Sequence, residues 1–111
     1  MQIILPWPPA SLSGHNNGNW RGKSNTVAEH RRWAAMAVPR AAKDYIDPIG
    51  DIEIHFAFYP PDNRSDRMNF ANRIKPYADG IAQALEVNDK RFLPGYSFHD
   101  TVKGGKVVVS I

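Results

Sequence analysis

The chain has 111 residues, no cysteine and a formal net charge of +3. Its length indicates a single domain, 1–111, and the lack of cysteine excludes disulfides and thiolate metal sites. The N-terminus lacks a basic segment followed by a long apolar run, and no stretch of about 18 apolar residues occurs anywhere, so we expect a soluble cytoplasmic protein without a membrane partner.

The basic residues fall in short clusters along the chain. The clusters are Arg21 with Lys23, Arg31 with Arg32, Arg64 with Arg67, and Lys90 with Arg91. A modest positive charge grouped in this way is compatible with a polyanion partner such as a nucleic acid. The alternative is that these residues are ordinary solvated surface charges.

The N-terminal part of the chain predicts a short strand and then a long loop. Residues 2 to 5 are β-prone, and the prolines after them end the strand. Residues 10 to 25 are rich in Ser, Gly and Asn, which is typical of a loop. This loop carries an aromatic side chain among cations, namely His15, Trp20, Arg21 and Lys23. Such a group could bind a phosphate or a nucleic-acid strand, and disorder is the equal alternative.

The next segment predicts a helix from Thr26 to about residue 45. Thr26 and Glu29 have the spacing of a capping box at a helix N-terminus. Pro39 should kink or split this helix. We place His30 at the surface or boundary of the helix and assign it no catalytic role.

Residues 51 to 59 alternate strictly and are the clearest strand in the chain. This strand leads through two prolines into an acidic loop and then into an amphipathic helix. The helix has an apolar stripe at spacings of three and four, formed by Phe70, Ile74, Tyr77, Ile81 and Leu85. Pro76 predicts either a kink or a break that places it in the first turn of a second helical half.

The C-terminal part of the chain predicts two more strands, residues 92 to 102 and 106 to 111. Between them, Gly104 and Gly105 indicate a β-hairpin, since glycine adopts positive φ at no steric cost. The whole chain therefore predicts an α+β domain with the order β-α-β-α-β-β, in which two helices pack on one small mixed sheet.

Three carboxylates and one lysine form the candidate site. Lys75 and Asp79 are four residues apart on one helix and so lie close enough to touch. Asp66 enters the helix and Asp89 leaves it, so the three carboxylates could converge if the helix ends fold back. The alternative is that Asp66 is a helix cap, Asp79 a solvated partner of Lys75, and Asp89 a turn residue.

Several motifs in the chain resemble those of the RusA-like Holliday junction resolvases, many of them phage-borne. They are Asp66-Arg67-Met68-Asn69, Lys75, the run from Asp79 to Leu85, Asn88-Asp89, the opening Leu5 to Pro9, and Pro60-Pro61-Asp62. The resemblance implies a metal-dependent endodeoxyribonuclease that hydrolyses phosphodiesters in branched DNA during recombination and repair. By the same resemblance, Asp66, Lys75, Asp79 and Asp89 are the catalytic residues.

The resemblance also implies a bound Mg²⁺ or Mn²⁺, and at one position the chain departs from the family pattern. Met68 stands where the family has an acid, and a thioether is a poor ligand for a hard cation. The resemblance then leaves Asp66, Asp79 and Asp89 as candidate metal ligands, with the amide oxygen of Asn69 as a candidate neutral fourth.

The resemblance implies a four-way DNA junction as the partner and a homodimer that matches the two-fold symmetry of the junction. The candidate DNA-binding residues are Arg21, Lys23, Arg64, Arg67, Arg73, Lys90 and Arg91. Two other functions stay open. The loss of an acid at Met68 would fit a weakly active or inactive junction-binding protein of the same fold, and the charge and size would also fit an RNA-binding module.

Overall fold

A computed structural model describes residues 1–12, 20–64 and 66–111, with the backbone alone for Ser11 and residues 20–23. The strands are β1 (Gln2–Pro6), β2 (Ile52–Tyr59), β3 (Phe92–Phe98) and β4 (Lys106–Ser110). The helices are α1 (Trp20–Ala41), α2 (Phe70–Arg73) and α3 (Lys75–Leu85). The predicted α+β class and element order are confirmed, with α2 and α3 together as the second helical segment. No helix in the described ranges is long and apolar enough to cross a membrane.

The four strands form one mixed sheet in the order β1-β4-β2-β3. β2 pairs with β3 in parallel, and β4 pairs antiparallel with both β1 and β2. Parallel neighbours need a crossover connection, which is here the segment that contains α2 and α3. The crossover brings these helices onto one face of the sheet.

The predicted hairpin between β3 and β4 is wrong. Gly104 and Gly105 do have positive φ, at 79° and 69°, but β2 lies between the two strands. The chain after β3 crosses the end of β2, where the His99 N–H donates to the Phe58 carbonyl at 2.9 Å. Val107 and Val109 are fully buried, so β4 occupies a central position. A glycine turn predicts a chain reversal but does not select the strand that pairs.

The core lies between one face of the sheet and the helices. Ile54, Phe56 and Phe58 of β2 are buried, as the strict alternation predicted. The stripe of α2 and α3 packs on them through Phe70, Ile74, Tyr77 and Ile81. The Tyr77 hydroxyl donates to the Pro6 carbonyl at 2.7 Å, which ties α3 to the end of β1.

The predicted ends of the first helix are wrong at both sides. The helix begins at Trp20, so residues 20 to 25 are helical, and Thr26 lies inside the helix instead of capping it. It ends at Ala41 and continues through Pro39 without splitting. Ser24 and Asn25 are exposed, and exposed polar residues are compatible with a helix surface as well as with a loop or cap. The composition of residues 20 to 25 therefore could not distinguish a helix from a loop or a helix cap.

His30 is buried, so its predicted surface position is also wrong. Only 4% of the residue is exposed, and Nδ1–H donates to the Thr26 carbonyl at 2.7 Å. His30 lies four residues before Ala34 and eight before Val38, both of which are buried. This spacing places His30 on the buried stripe of α1.

The second helical segment breaks at Pro76, as one of the two predicted outcomes stated. α2 ends at Arg73, Ile74 separates the helices, and Pro76 lies in the first turn of α3. α3 approaches α1 closely at Gly80, where an added Cβ would lie 2.1 Å from the Arg31 carbonyl oxygen. This contact fixes α3, and with it the candidate site, against α1.

Candidate functional site

Lys75, Asp79 and Asp89 form one hydrogen-bonded group, which we call the Lys75 cluster. Lys75 Nζ donates to Asp79 Oδ1 at 2.8 Å and to Asp89 Oδ2 at 2.6 Å. Lys75 and Asp79 face each other across one turn of α3, as predicted. Asp89 joins them from a loop 14 residues further along the chain than Lys75.

Backbone geometry after α3 places Asp89 in the cluster. Glu86 ends the helix in the left-handed region at φ 58°, and its N–H and that of Val87 donate to the last turn. This arrangement is a Schellman-type helix end, which reverses the chain direction. Asn88 then caps a 3₁₀ turn, Asp89–Arg91, with Oδ1 accepting from the Lys90 N–H. The turn leads directly into β3 and brings Asp89 back to the start of α3.

The electrostatics of the cluster favour the charged forms of Lys75 and Asp89. Hydrogen bonds to Asp79 and then Asp89 raise the pKa of Lys75. The hydrogen bond from Lys75 lowers the pKa of Asp89. Two carboxylates against one ammonium leave the cluster with an excess negative charge.

Asp66 lies outside the Lys75 cluster and is used differently. It caps a separate 3₁₀ turn, Arg67–Asn69, where Oδ1 accepts the Met68 N–H at 2.9 Å. Met68 is 85% exposed, and Asn69 makes no side-chain capping bond to α2. Within the described parts of the chain, no three His, Cys, Asp or Glu side chains are grouped closely enough to hold a metal ion. The structure thus joins Asp79 and Asp89 and leaves Asp66 apart.

The predicted DNA-binding cations are in different environments. Arg64 and Lys90 are exposed, and the Arg67 guanidinium lies 6.0 Å from the Phe98 ring centre. The Arg91 guanidinium already makes contacts within the protein: it donates to the carbonyls of Gly50 and Pro48 and pairs with Asp47. The side chains of Arg21 and Lys23, together with His15 and Trp20, lie outside the described part of the structure.

Arg73 is buried, although we expected it among the DNA-binding cations. It is 7% exposed, its guanidinium lies 5.5 Å from the Phe70 ring centre, and its Nε has no hydrogen-bond partner among the described residues. Burial lowers its pKa. The spacing of three residues from Phe70 and four to Tyr77 places Arg73 on the core side of the helix, and this signal could have revealed it.

A groove that no sequence pattern predicted opens beside the Lys75 cluster. We call it the β3 groove, because it runs between the helices α2 and α3 and the edge strand β3. Its volume is about 170 Å³, and Lys75 and Asp89 contribute to its lining. The apolar lining includes Phe56, Ala71, Ala78, Phe92, Pro94 and Tyr96. Tyr96 keeps 42% of its surface exposed, because the helices do not extend over the edge strand.

Comparison with known proteins finds a relative of unknown function. An uncharacterized protein from Xylella fastidiosa (strain Temecula1 / ATCC 700964) is 35% identical over 113 residues, which cover 98% of this chain and 74% of the relative. No family model matches the chain. The similarity covers nearly the whole chain, so it is not confined to one motif.

Proposed function

The chain belongs to the same family as the Xylella fastidiosa protein, and we propose that it is a metal-dependent endonuclease of branched DNA, like the RusA-type Holliday junction resolvases. One observation carries the proposal. Lys75, Asp79 and Asp89, all of which the resemblance assigns to the catalytic site, are joined by two hydrogen bonds although Asp89 is distant in sequence.

The donor set of the cluster fits the cation that the resemblance implies. Carboxylate oxygens are the ligands that Mg²⁺ and Mn²⁺ prefer, and the cluster brings two carboxylates, Asp79 and Asp89, to one lysine. Asp79 and Asp89 would hold the metal. When bound, it supplies an activated water and stabilises charge on the phosphate.

Lys75 contributes a positioned cation to the same reaction. Lysine is an ammonium at neutral pH, and the hydrogen bonds to Asp79 and Asp89 raise the pKa of Lys75 further. An ammonium beside the phosphate stabilises charge on the oxygens as the phosphodiester is cut. The excess negative charge of the unliganded cluster would repel DNA, so binding depends on the metal and on the surrounding cations Arg64, Arg67 and Lys90.

The symmetry of the proposed substrate suggests the oligomeric state of the protein. A four-way junction has two-fold symmetry, and two symmetric cuts are made most simply by a homodimer. Action on cellular or phage DNA would place the protein in the cytoplasm.

A second candidate function is a junction-binding protein with little or no activity. The specific observation in its favour is the position of Asp66, which caps its own turn and does not join Asp79 and Asp89. A site with two carboxylates holds a metal less firmly than one with three.

The experiment is a nicking assay on a synthetic four-way DNA junction with Mg²⁺ or Mn²⁺. Wild type should cut the junction, and Asp89→Asn should lose cleavage while it keeps binding. Asp100→Asn, which removes an exposed acid outside the cluster, serves as the matched control and should cut like wild type.

Met68→Asp separates the two candidate functions. If wild type binds the junction without cutting it and Met68→Asp cuts, the protein is a binder that has lost an acid. If neither protein binds branched DNA in preference to a linear duplex at the same salt concentration, both functions are refuted. Preference for structured RNA in competition would favour an RNA-binding module.

A further inference from the structure

The β3 groove has a shape and chemistry that the proposed cleavage reaction does not use. Its floor is apolar and aromatic, with Phe56, Pro94 and Tyr96 among the lining residues. At about 170 Å³ it is smaller than the pockets of roughly 300–1,000 Å³ that hold drug-sized ligands. A groove of this size suits a single planar ring system.

The charged residues at the rim of the groove indicate which chemical group the bound ring system carries. Lys75 and Asp89 belong both to the groove lining and to the Lys75 cluster, where the proposed function places the scissile phosphate. A ligand that fills the groove therefore has an anionic group within reach of Lys75 and an apolar planar group on the floor. A nucleotide has this combination of a phosphate and a base.

The edge position of β3 gives the groove access from outside. Tyr96 and Phe98 point to the face that the helices cover elsewhere, yet both remain about half exposed. The Tyr96 ring lies 6.0 Å from the Phe56 ring centre, nearly parallel to it, so Phe56 supports the aromatic ring on the floor of the groove. Nucleic-acid bases stack on such aromatic side chains with little dependence on sequence.

We infer that the β3 groove receives one unstacked nucleobase of the DNA strand whose phosphate lies at the Lys75 cluster. This inference rests on the proposed function and adds a reason for structure selectivity. Removing a base from the stack costs least where the base is already mismatched or unpaired. At a branch point the stack of base pairs is interrupted, so a base there loses less stacking on extrusion than a base inside an intact duplex.

The test is an abasic scan of a four-way junction. One nucleotide at a time near the branch point is replaced by an abasic residue, and binding is measured by fluorescence anisotropy in Ca²⁺, with denaturing gels to verify that the DNA is uncut. In wild type, one position per symmetric strand should weaken binding by about tenfold when its base is removed, and its neighbours should have little effect.

Variants then link that position to the groove. Ala78→Leu places a larger side chain in the groove, and Ala84→Leu is the matched control on the same helix outside the lining. Ala78→Leu should bind intact DNA about tenfold more weakly, and the abasic residue should then cause no further loss. Tyr96→Phe should behave like wild type and Tyr96→Ser like Ala78→Leu, which provides a second arm if Ala78→Leu does not fold.

The outcomes separate this inference from the proposed function. If wild type binds the junction but all abasic positions are equivalent, or if Ala78→Leu keeps the same abasic penalty as Ala84→Leu, the base site is refuted and the nuclease proposal stands. If wild type does not bind branched DNA, both are refuted. If Ala78→Leu changes the oligomeric state without DNA, the groove holds a second copy of the chain, and the base site is refuted.

Discussion

The two acidic loops on either side of α2 and α3 use their carboxylates in different ways. Asp66, in the loop before the helices, accepts a hydrogen bond from a backbone N–H only two residues away. Asp89, in the loop after them, accepts from Lys75, 14 residues away. The first contact is local helix-capping chemistry, whereas the second exists only because the chain folds back along α3.

The difference shows which carboxylate the fold positions for a purpose beyond its own turn. Capping alone explains the presence of a carboxylate such as Asp66, since it satisfies an unpaired N–H at the start of a turn. Asp89 is not the N-cap of its 3₁₀ turn: Asn88 performs that role one residue earlier. The turn therefore directs the Asp89 carboxylate at Lys75, and Asn88 supplies the cap of the turn.

The largest expected effect comes from disturbing the contact between α1 and α3. α3 carries Lys75, the hydrogen-bond partner of Asp89. Gly80→Ala would place a Cβ 2.1 Å from the Arg31 carbonyl oxygen, so α1 and α3 must separate. We expect the free energy of unfolding to fall by about 1–3 kcal/mol, measured by urea denaturation. The separation would also displace Lys75 and Asp79, which α3 carries.

Gly95→Ala on β3 is the matched control for this change. Its added Cβ would lie 3.5 Å from His55 Cδ2, an ordinary contact distance. Its stability should stay within about 0.5 kcal/mol of wild type or rise slightly, because alanine is less costly than glycine in a strand. Equal losses in the two variants would show that the crossing at Gly80 is not tight.

A smaller effect tests the Asp66 side. Asp66→Ala removes the acceptor of the Met68 N–H, so stability should fall by about 1 kcal/mol. Asp66→Asn keeps an equivalent cap and should retain stability, as read by thermal unfolding. If Asp66→Asn is stable but loses nicking activity, the charge of Asp66 serves the reaction, and the contrast between the two loops no longer holds.

Sequence patterns predicted the features that depend on side-chain periodicity. The alternation in β2, the stripe of α2 and α3 and the break at Pro76 all follow from which side chains share a face, and the structure has each of them. The Lys75–Asp79 pair follows from helical spacing in the same way. The same periodicity indicates the burial of His30 and Arg73, but we expected His30 at the surface or boundary of its helix and Arg73 among the DNA-binding cations.

Features that depend on tertiary pairing were beyond the sequence. The turn at Gly104 and Gly105 gave no sign that β2 would lie between β3 and β4. The β3 groove exists because the helices stop short of the edge strand, and no local pattern records where a helix layer ends. The contact from Lys75 to Asp89 likewise needs the whole crossover to be in place.

The smallest expected effect in free energy concerns the ion pair between Lys75 and Asp89, and it is measured as a change in the pKa of Asp89. The hydrogen bond from Lys75 holds the pKa of Asp89 below its ordinary value of 3.8. The pair is therefore intact above that value and is lost as the pH falls through the lowered pKa of the folded state. At the alkaline end it is lost only as the pH rises through the raised pKa of Lys75.

Carboxyl-detected NMR titration of wild type and of Lys75→Met measures this directly. In Lys75→Met the pKa of Asp89 should rise towards its ordinary value, because the donor is gone. Lys90→Met is the stringent control: Lys90 is the next residue, yet its only hydrogen bond to a side chain in the described structure runs from its backbone N–H to Asn88. If both variants shift Asp89 equally, the general positive charge near the loop controls the carboxylate, and Asp89 is then no more specifically placed than Asp66.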